Sequence, residues 1–153
     1  MTQGAVTASA VTASAVTQGL LDTSTLILLG RLTDPTALPD EPLISTVTLA
    51  ELSVGPLVAA SDEERAARQA HLQQAEADFE PLPFDADAAR AFGQVAASLR
   101  RNGRKTAARA YDAMIAAVAL SRRLPLYTCD PDDFAGIDGL EVIAVAVPPP
   151  ARG

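Results

Sequence analysis

Four acidic residues, Asp22, Glu51, Asp112 and Asp130, stand in places where an acid is awkward for folding. Asp112 lies in the opening turns of Arg109-Ala-Tyr-Asp-Ala-Met-Ile-Ala-Ala-Val-Ala-Leu-Ser, which reads as a helix apolar on nearly every side and therefore buried. An ionised carboxylate is costly to desolvate there unless a cation or several donors face it. Asp22 follows Leu20-Leu21, where a strand would hand over to a helix, and Asp130 follows the short apolar run Pro125-Leu-Tyr-Thr-Cys129. Glu51 falls early in a helix beginning near Thr48. Two carboxylates ~5 Å apart repel by roughly 3 kcal/mol at an effective dielectric near 20. Four brought together need protons or a divalent cation. Oxygen-only ligation selects Mg²⁺ or Mn²⁺ over zinc, which prefers His and Cys. Carboxylate-held Mg²⁺ can bind phosphate oxygens, activate a water and stabilise a leaving group, so the implied chemistry is phosphodiester hydrolysis.

Each acid also has a purely structural account. Asp22 can be an N-cap, with Thr23 or Ser24 also able to satisfy free backbone N–H groups. If Thr48 is the N-cap of its helix, Glu51 sits at the capping-box position; if Thr46 is the cap, Glu51 lies one turn inside and needs another explanation. Seven of the twelve basic residues fall between Arg100 and Arg123, a window whose only acid is Asp112. Arg100, Arg101, Arg104, Lys105 and Arg109 are read either as helix-end and surface charges or as a phosphate-contacting rim, and both readings stay open. His71 is the only histidine and Cys129 the only cysteine. One isolated His is weak evidence for metal or acid–base chemistry, and Cys129 reads as an inert, half-buried thiol.

The elements that must position these residues follow from periodicity and punctuation. Ala-Val-Thr-Ala-Ser occurs twice near the start, so residues 1–16 read as a flexible low-complexity leader. A first strand ends at Leu20-Leu21, and Leu26 to Leu29 bury the helix after it. Pro35, Pro39 and Pro42 mark a turn-rich connection to a second strand, Leu43 to Thr48. Pro56 interrupts the Glu51 helix near Gly55. Residues 61–78 form a surface helix, and Phe79 to Phe84 an edge strand limited by its prolines. Asp85 caps a long helix ending near Asn102-Gly103. A strand over 124–128, a turn of helix at Pro131 and a strand over 139–145 complete a domain spanning 17–146, with a disordered tail at 147–153. Strands alternating with helices indicate an α/β/α sandwich with a mainly parallel, roughly five-stranded sheet. Ligands in such sheets bind beyond the carboxyl ends of the strands.

A formal net charge of −7 argues against a wholly basic, sequence-blind nucleic-acid binder. One cysteine excludes an internal disulfide and suits a reducing compartment. No Lys or Arg precedes Arg31, and no apolar run approaches the ~20 residues of a membrane helix. A cytoplasmic protein with no membrane contact is expected.

Leu21-Asp-Thr-Ser24, the Glu51-Leu52 helix, Asp112-Ala-Met-Ile-Ala-Ala117 and Thr128-Cys-Asp-Pro-Asp-Asp-Phe134 resemble the acidic motifs of PIN-domain proteins, within them the VapC-type toxins of bacterial toxin–antitoxin pairs. The resemblance runs from about residue 17 to 145 in the right order. It implies that Asp22, Glu51, Asp112 and Asp130 bind Mg²⁺, that Ser24 and Thr128 support them through hydrogen bonds, and that Asp133 braces the last loop. It further implies endoribonuclease cleavage of structured RNA such as tRNA or rRNA, homodimerisation, and inhibition by a cognate VapB-like antitoxin. Two alternatives remain: a non-catalytic PIN-like binding module, and a metal-dependent phosphatase of another α/β class. The haloacid dehalogenase class places a second acid two residues after the first, where this chain has Ser24.

Overall fold

The computed structural model describes residues 15–147. Apart from Ala15, Val16 and Val147, the expected leader and tail lie outside these residues. Four short strands, β1 (Gln18–Leu21), β2 (Glu41–Leu43), β3 (Leu126–Thr128) and β4 (Val142–Ala144), form one sheet in the order β2-β1-β3-β4. All three pairings are parallel. The chain leaves β1 for a neighbour on one side and returns on the other. A crevice therefore opens beyond the carboxyl ends of β1 and β3, where the direction of winding reverses.

Five helices cover the sheet: α1 (Thr23–Leu28), α2 (Thr46–Val54), α3 (Asp62–Asp78), α4 (Ala86–Arg101) and α5 (Ala110–Arg122). Strand alternation divides the interior in two. Leu20 and Leu126 face a core built with Val95 and Leu99 of α4 and Ile115 to Ala119 of α5. Leu21 and Tyr127 face the other way, onto Leu26 of α1, Leu52 of α2 and Leu72 and Ala75 of α3. Helix α2 contributes Val47 to the first core and Leu52 to the second, so it bridges the two layers at the sheet's edge. The three-layer α/β/α arrangement is the expected one. Among the described residues, no helix is long and apolar enough to cross a membrane.

The sheet has four strands, not five. Phe79–Phe84 forms only an isolated parallel bridge, Ser45 with Leu82. Leu82 N–H donates to the Ile44 carbonyl and Thr46 N–H to the Leu82 carbonyl, both at 2.9 Å. Pro81 and Pro83 on either side have no N–H with which to extend the ladder. The second strand is also displaced: β2 ends at Leu43, and Ser45, rather than Thr46 or Thr48, caps α2 by accepting from Thr48 N–H. Pro56 ends α2 as expected, in a 3₁₀ turn over Gly55–Val58. Helix α5 terminates on Arg123 in the left-handed conformation (φ 56°), which lets Leu124 N–H reach the Ala119 carbonyl and turns the chain into β3.

Gly19, in the middle of β1, lies beneath the Tyr127 ring. A Cβ there would stand 2.2 Å from Tyr127 Cε1 and 3.2 Å from Pro39 Cγ. Gly30 has no atom within 4 Å of the equivalent point. Gly19→Ala should therefore lower stability by about 1–3 kcal/mol, whereas Gly30→Ala leaves the thermal midpoint within about 2 °C or raises it slightly. Thermal melts of the two variants check this.

Candidate active site

The carboxyl end of β1 delivers Asp22, which is only 4% exposed. Its Oδ1 accepts from Thr25 N–H at 3.0 Å, making it the N-cap of α1. Its Oδ2 accepts from Thr128 Oγ1 at 2.7 Å and from Ser24 Oγ at 3.2 Å. The capping role expected for Asp22 is therefore present, and it occupies one carboxylate oxygen only. Thr23 and Ser24, expected as alternative caps, instead turn their hydroxyls to carboxylates. A buried carboxylate with three donors is well compensated.

Thr128, fully buried at the end of β3, links two acids. It donates to Asp22 and accepts from Asp130 N–H at 2.9 Å, fixing the loop that carries Asp130. Ser24 Oγ also lies 3.2 Å from Asp130 Oδ2, so one hydroxyl stands between the carboxylates of Asp22 and Asp130. The turn of helix at Pro131–Phe134 forms as expected. Within it Asp133 donates its N–H to the Asp130 carbonyl at 3.0 Å and accepts from Arg109 Nη1 at 3.0 Å.

Glu51 and Asp112 enter from helices. Glu51 lies on α2, where its Oε1 accepts from Thr23 Oγ1 at 2.6 Å. With Ser45 as the cap, Glu51 is not at the capping-box position, and the capping account of it falls away. Burial pushes its carboxyl up; the Thr23 hydroxyl opposes this and the charge of Asp22 adds to it. Asp112, in the first turn of α5, is pushed up to about 6, first by burial, then by the charges of Asp133, Glu51 and Asp22, with Arg109 pulling the other way. Acids from four separate segments thus act on one another across the crevice beyond β1 and β3.

The expected basic residues separate. Arg109 is brought to the acids. Arg100 and Arg101 lie in the last turn of α4, and Arg101 pairs with Asp138. Lys105 is exposed in the loop that follows. Arg104 has one buried guanidinium nitrogen without a partner among the described residues. The Cys129 thiol is pushed up by burial, which keeps it protonated and matches the expected inert role. His71 is exposed on α3 and borders a recess of about 280 Å³ with Thr23, Ile27, Glu51 and Arg68. A larger, mostly apolar groove of about 630 Å³ continues between α1 and α3, lined by Leu26, Leu29, Leu52, Ala75 and Phe79.

Three residues here escaped the sequence reading as parts of a site: Thr23, Thr25 and Thr48. Thr25, fully buried, accepts from Cys129 N–H at 3.0 Å and pins α1 to the Asp130 loop. Thr48 Oγ1 lies 3.0 Å from Thr23 Oγ1. Threonines that disfavour helix interiors yet open two successive helices beside an acid were the available signal.

The expected acids and the hydroxyls beside them offer oxygens alone, a set suited to a hard divalent cation. Among the described residues, no three His, Cys, Asp or Glu side chains are gathered as an ion-holding cluster in the arrangement seen. Carboxylates that repel one another are turned instead toward hydroxyl and amide donors.

Residues 20–140 match the PIN domain, and the chain belongs to the PIN-domain family. Within that family its likeness is to VapC-type proteins. It is 47% identical over 132 residues to Ribonuclease VapC5 of Mycobacterium tuberculosis, covering 83% of this chain and 95% of the relative. It is 35% identical over 102 residues to Ribonuclease VapC4 of the same organism, covering 67% and 75%. A crystal structure of VapBC-5, a member of the VapBC family of toxin–antitoxin systems from M. tuberculosis, superposes with a TM-score of 0.73 at 46% identity. That match covers 84% of this chain and 98% of the solved one.

The raised carboxyl of Asp112 has a consequence for stability. A folded-state value of about 6 against an ordinary 3.8 means that the folded protein holds this proton more tightly than the unfolded chain. Ionisation therefore destabilises the fold progressively as pH rises through that window. Asp112→Asn should melt a few degrees above the wild type at about pH 7, and the gap should close by about pH 4. Melts in metal-free buffer across that range check it.

Proposed function

We propose that this protein is a metal-dependent endoribonuclease in which Asp22, Glu51, Asp112 and Asp130 hold Mg²⁺, with Mn²⁺ able to substitute. Its substrate is structured RNA such as tRNA or rRNA. The observation that carries the proposal is the convergence beyond β1 and β3 of Asp22, tied to the Asp130 loop through Thr128 and Ser24, with Glu51 and Asp112, whose carboxyls are raised by burial and by neighbouring acids. That is the condition a divalent cation relieves. The names of the M. tuberculosis relatives, both ribonucleases, support the choice of substrate.

The chemistry that such a cation supplies when bound is activation of water and neutralisation of charge on the leaving oxygen. The protein's own groups do the rest. Asp22 is held by Thr25 N–H and the Thr128 hydroxyl, with the one proton of Ser24 shared between it and Asp130, and serves as the fixed reference of the site. Asp130 is placed by the Thr128 hydroxyl on its N–H and by Ser24 on its carboxylate. Asp133 restrains Arg109 at the rim, where the guanidinium can exchange that partner for an RNA phosphate. Arg100 and Lys105, at the end of α4 and in the following loop, are further candidates for contacts to RNA phosphates, while Arg101 is paired with Asp138 and Arg104 is partly buried.

A cognate VapB-like antitoxin would neutralise the activity, as in the toxin–antitoxin systems to which the similar solved structure belongs. The apolar groove between α1 and α3 supports this, because it shares Ile27, Leu52 and His71 with the recess lined by Glu51. The same reading gives a cytoplasmic homodimer. A second reading is a non-catalytic PIN-like binding module, favoured by carboxylates already turned to the hydroxyls of Thr23, Ser24 and Thr128.

Incubation with total RNA separates the two. The nuclease reading predicts fragments that appear with Mg²⁺ or Mn²⁺, vanish with EDTA, and are absent with a folded Asp112→Asn variant. RNA retained intact by the wild type under all metal conditions would contradict it.

A further inference from the structure

Between the apolar core and Glu51 stand two threonine hydroxyls, and the inner one has no part in the chemistry above. Thr48 lies on α2 one turn before Glu51 and is fully buried. Its Oγ1 is 3.0 Å from Thr23 Oγ1, and Thr23 Oγ1 is in turn 2.6 Å from Glu51 Oε1. A threonine hydroxyl carries one proton. Thr23 commits its proton to the carboxylate, which can only accept while ionised. The 3.0 Å contact is then a hydrogen bond in one direction alone, with Thr48 donating and Thr23 accepting. Order therefore runs outward, from the core through Thr48 and Thr23 to Glu51. Each link polarises the next.

The burial of Thr48 matters to this direction. With no exposed surface at Thr48, water has no access to replace its hydroxyl as the donor to Thr23. Val47 and Leu52, also buried on α2, hold the helix and with it the Thr48 rotamer. Thr23 follows Asp22 directly, so the same short segment that fixes Asp22 also receives the proton that orients Thr23.

We propose that Thr48 is a positioning residue of the carboxylate site: acting through Thr23, its buried hydroxyl holds Glu51 facing Asp22 and Asp112 and thereby sets the site's affinity for a divalent cation. The inference rests on the metal-dependent nuclease reading. A bland account of the same hydroxyls, that they merely tie α1 to α2, differs in what it predicts.

The test is Mn²⁺ binding by the full chain, measured by titration calorimetry and by the rise in melting temperature that Mn²⁺ produces. It is run on wild type, Thr48→Val and Thr48→Ser, and on Thr48→Val combined with Glu51→Gln. Loss of a group that orients a ligand typically costs 10–100-fold in metal affinity. Thr48→Val should weaken Mn²⁺ about tenfold, Thr48→Ser should restore it, and Thr48→Val should have no further effect once Glu51 is Gln. A Thr48→Val protein that melts lower without metal yet binds Mn²⁺ within about twofold of wild type would overturn the proposal. Should that variant not fold, Thr48→Ala removes the same hydroxyl and carries the same two outcomes. Wild type that binds no Mn²⁺ and cuts no RNA defeats the nuclease reading itself, and the inference with it. Wild type that does both while the Thr48 variants match it defeats the inference alone.

Discussion

Repulsion among carboxylates is the constraint around which this fold is arranged. Folding brings Asp22, Glu51, Asp112 and Asp133 close enough for their charges to act on one another, in surroundings partly removed from water. Such an arrangement opposes folding unless something offsets it. The offset visible in the protein is a set of short, rigid donors. Thr23, Ser24, Thr25 N–H and Thr128 face carboxylates at 2.6–3.2 Å, and Arg109 pairs with Asp133 while its charge favours the ionised Asp112. Hydroxyls on β-branched residues suit the task because few rotamers are open to them.

The parallel sheet explains how residues over a hundred positions apart meet. β1 and β3 are neighbours, so their carboxyl ends place Asp22 and Thr128 in direct contact although 106 residues separate them. Helices α2 and α5 then bring Glu51 and Asp112 to the same crevice. Pairing of Leu20 with Leu126 and Leu21 with Tyr127 also sorts side chains onto two opposed cores. A shift of one residue in that register would exchange the cores and separate Asp22 from Thr128. Stability and the site thus depend on the same few pairings.

Much of this was legible in the sequence, for physical reasons that differ by element. Asp112 stood out because an acid in an almost wholly apolar helix has no cheap explanation, and Asp22 and Asp130 because each follows a short apolar run. The alternation of strands and helices gave the layer order. What the sequence concealed depended on contacts between distant segments. Thr48 and Thr23 each open a helix beside an acid, but only the packing of those helices reveals that the two hydroxyls meet. Phe79–Phe84 reads as an edge strand on account of its prolines, and the same two prolines prevent a ladder, leaving one bridge. Ser45, Thr46 and Thr48 are all capping residues, and only the end of β2 decides among them.

The crevice reduces to one physical statement: the charges of Asp133, Glu51 and Asp22, from three other segments, act on Asp112. Its most direct measurement is a carboxyl-carbon NMR titration of Asp112 in metal-free protein, repeated in Glu51→Gln. Asp112 should titrate at about 6 in the wild type and distinctly lower in the variant. An Asp112 that titrates near the ordinary 3.8, or one that titrates alike in both proteins, would contradict the account.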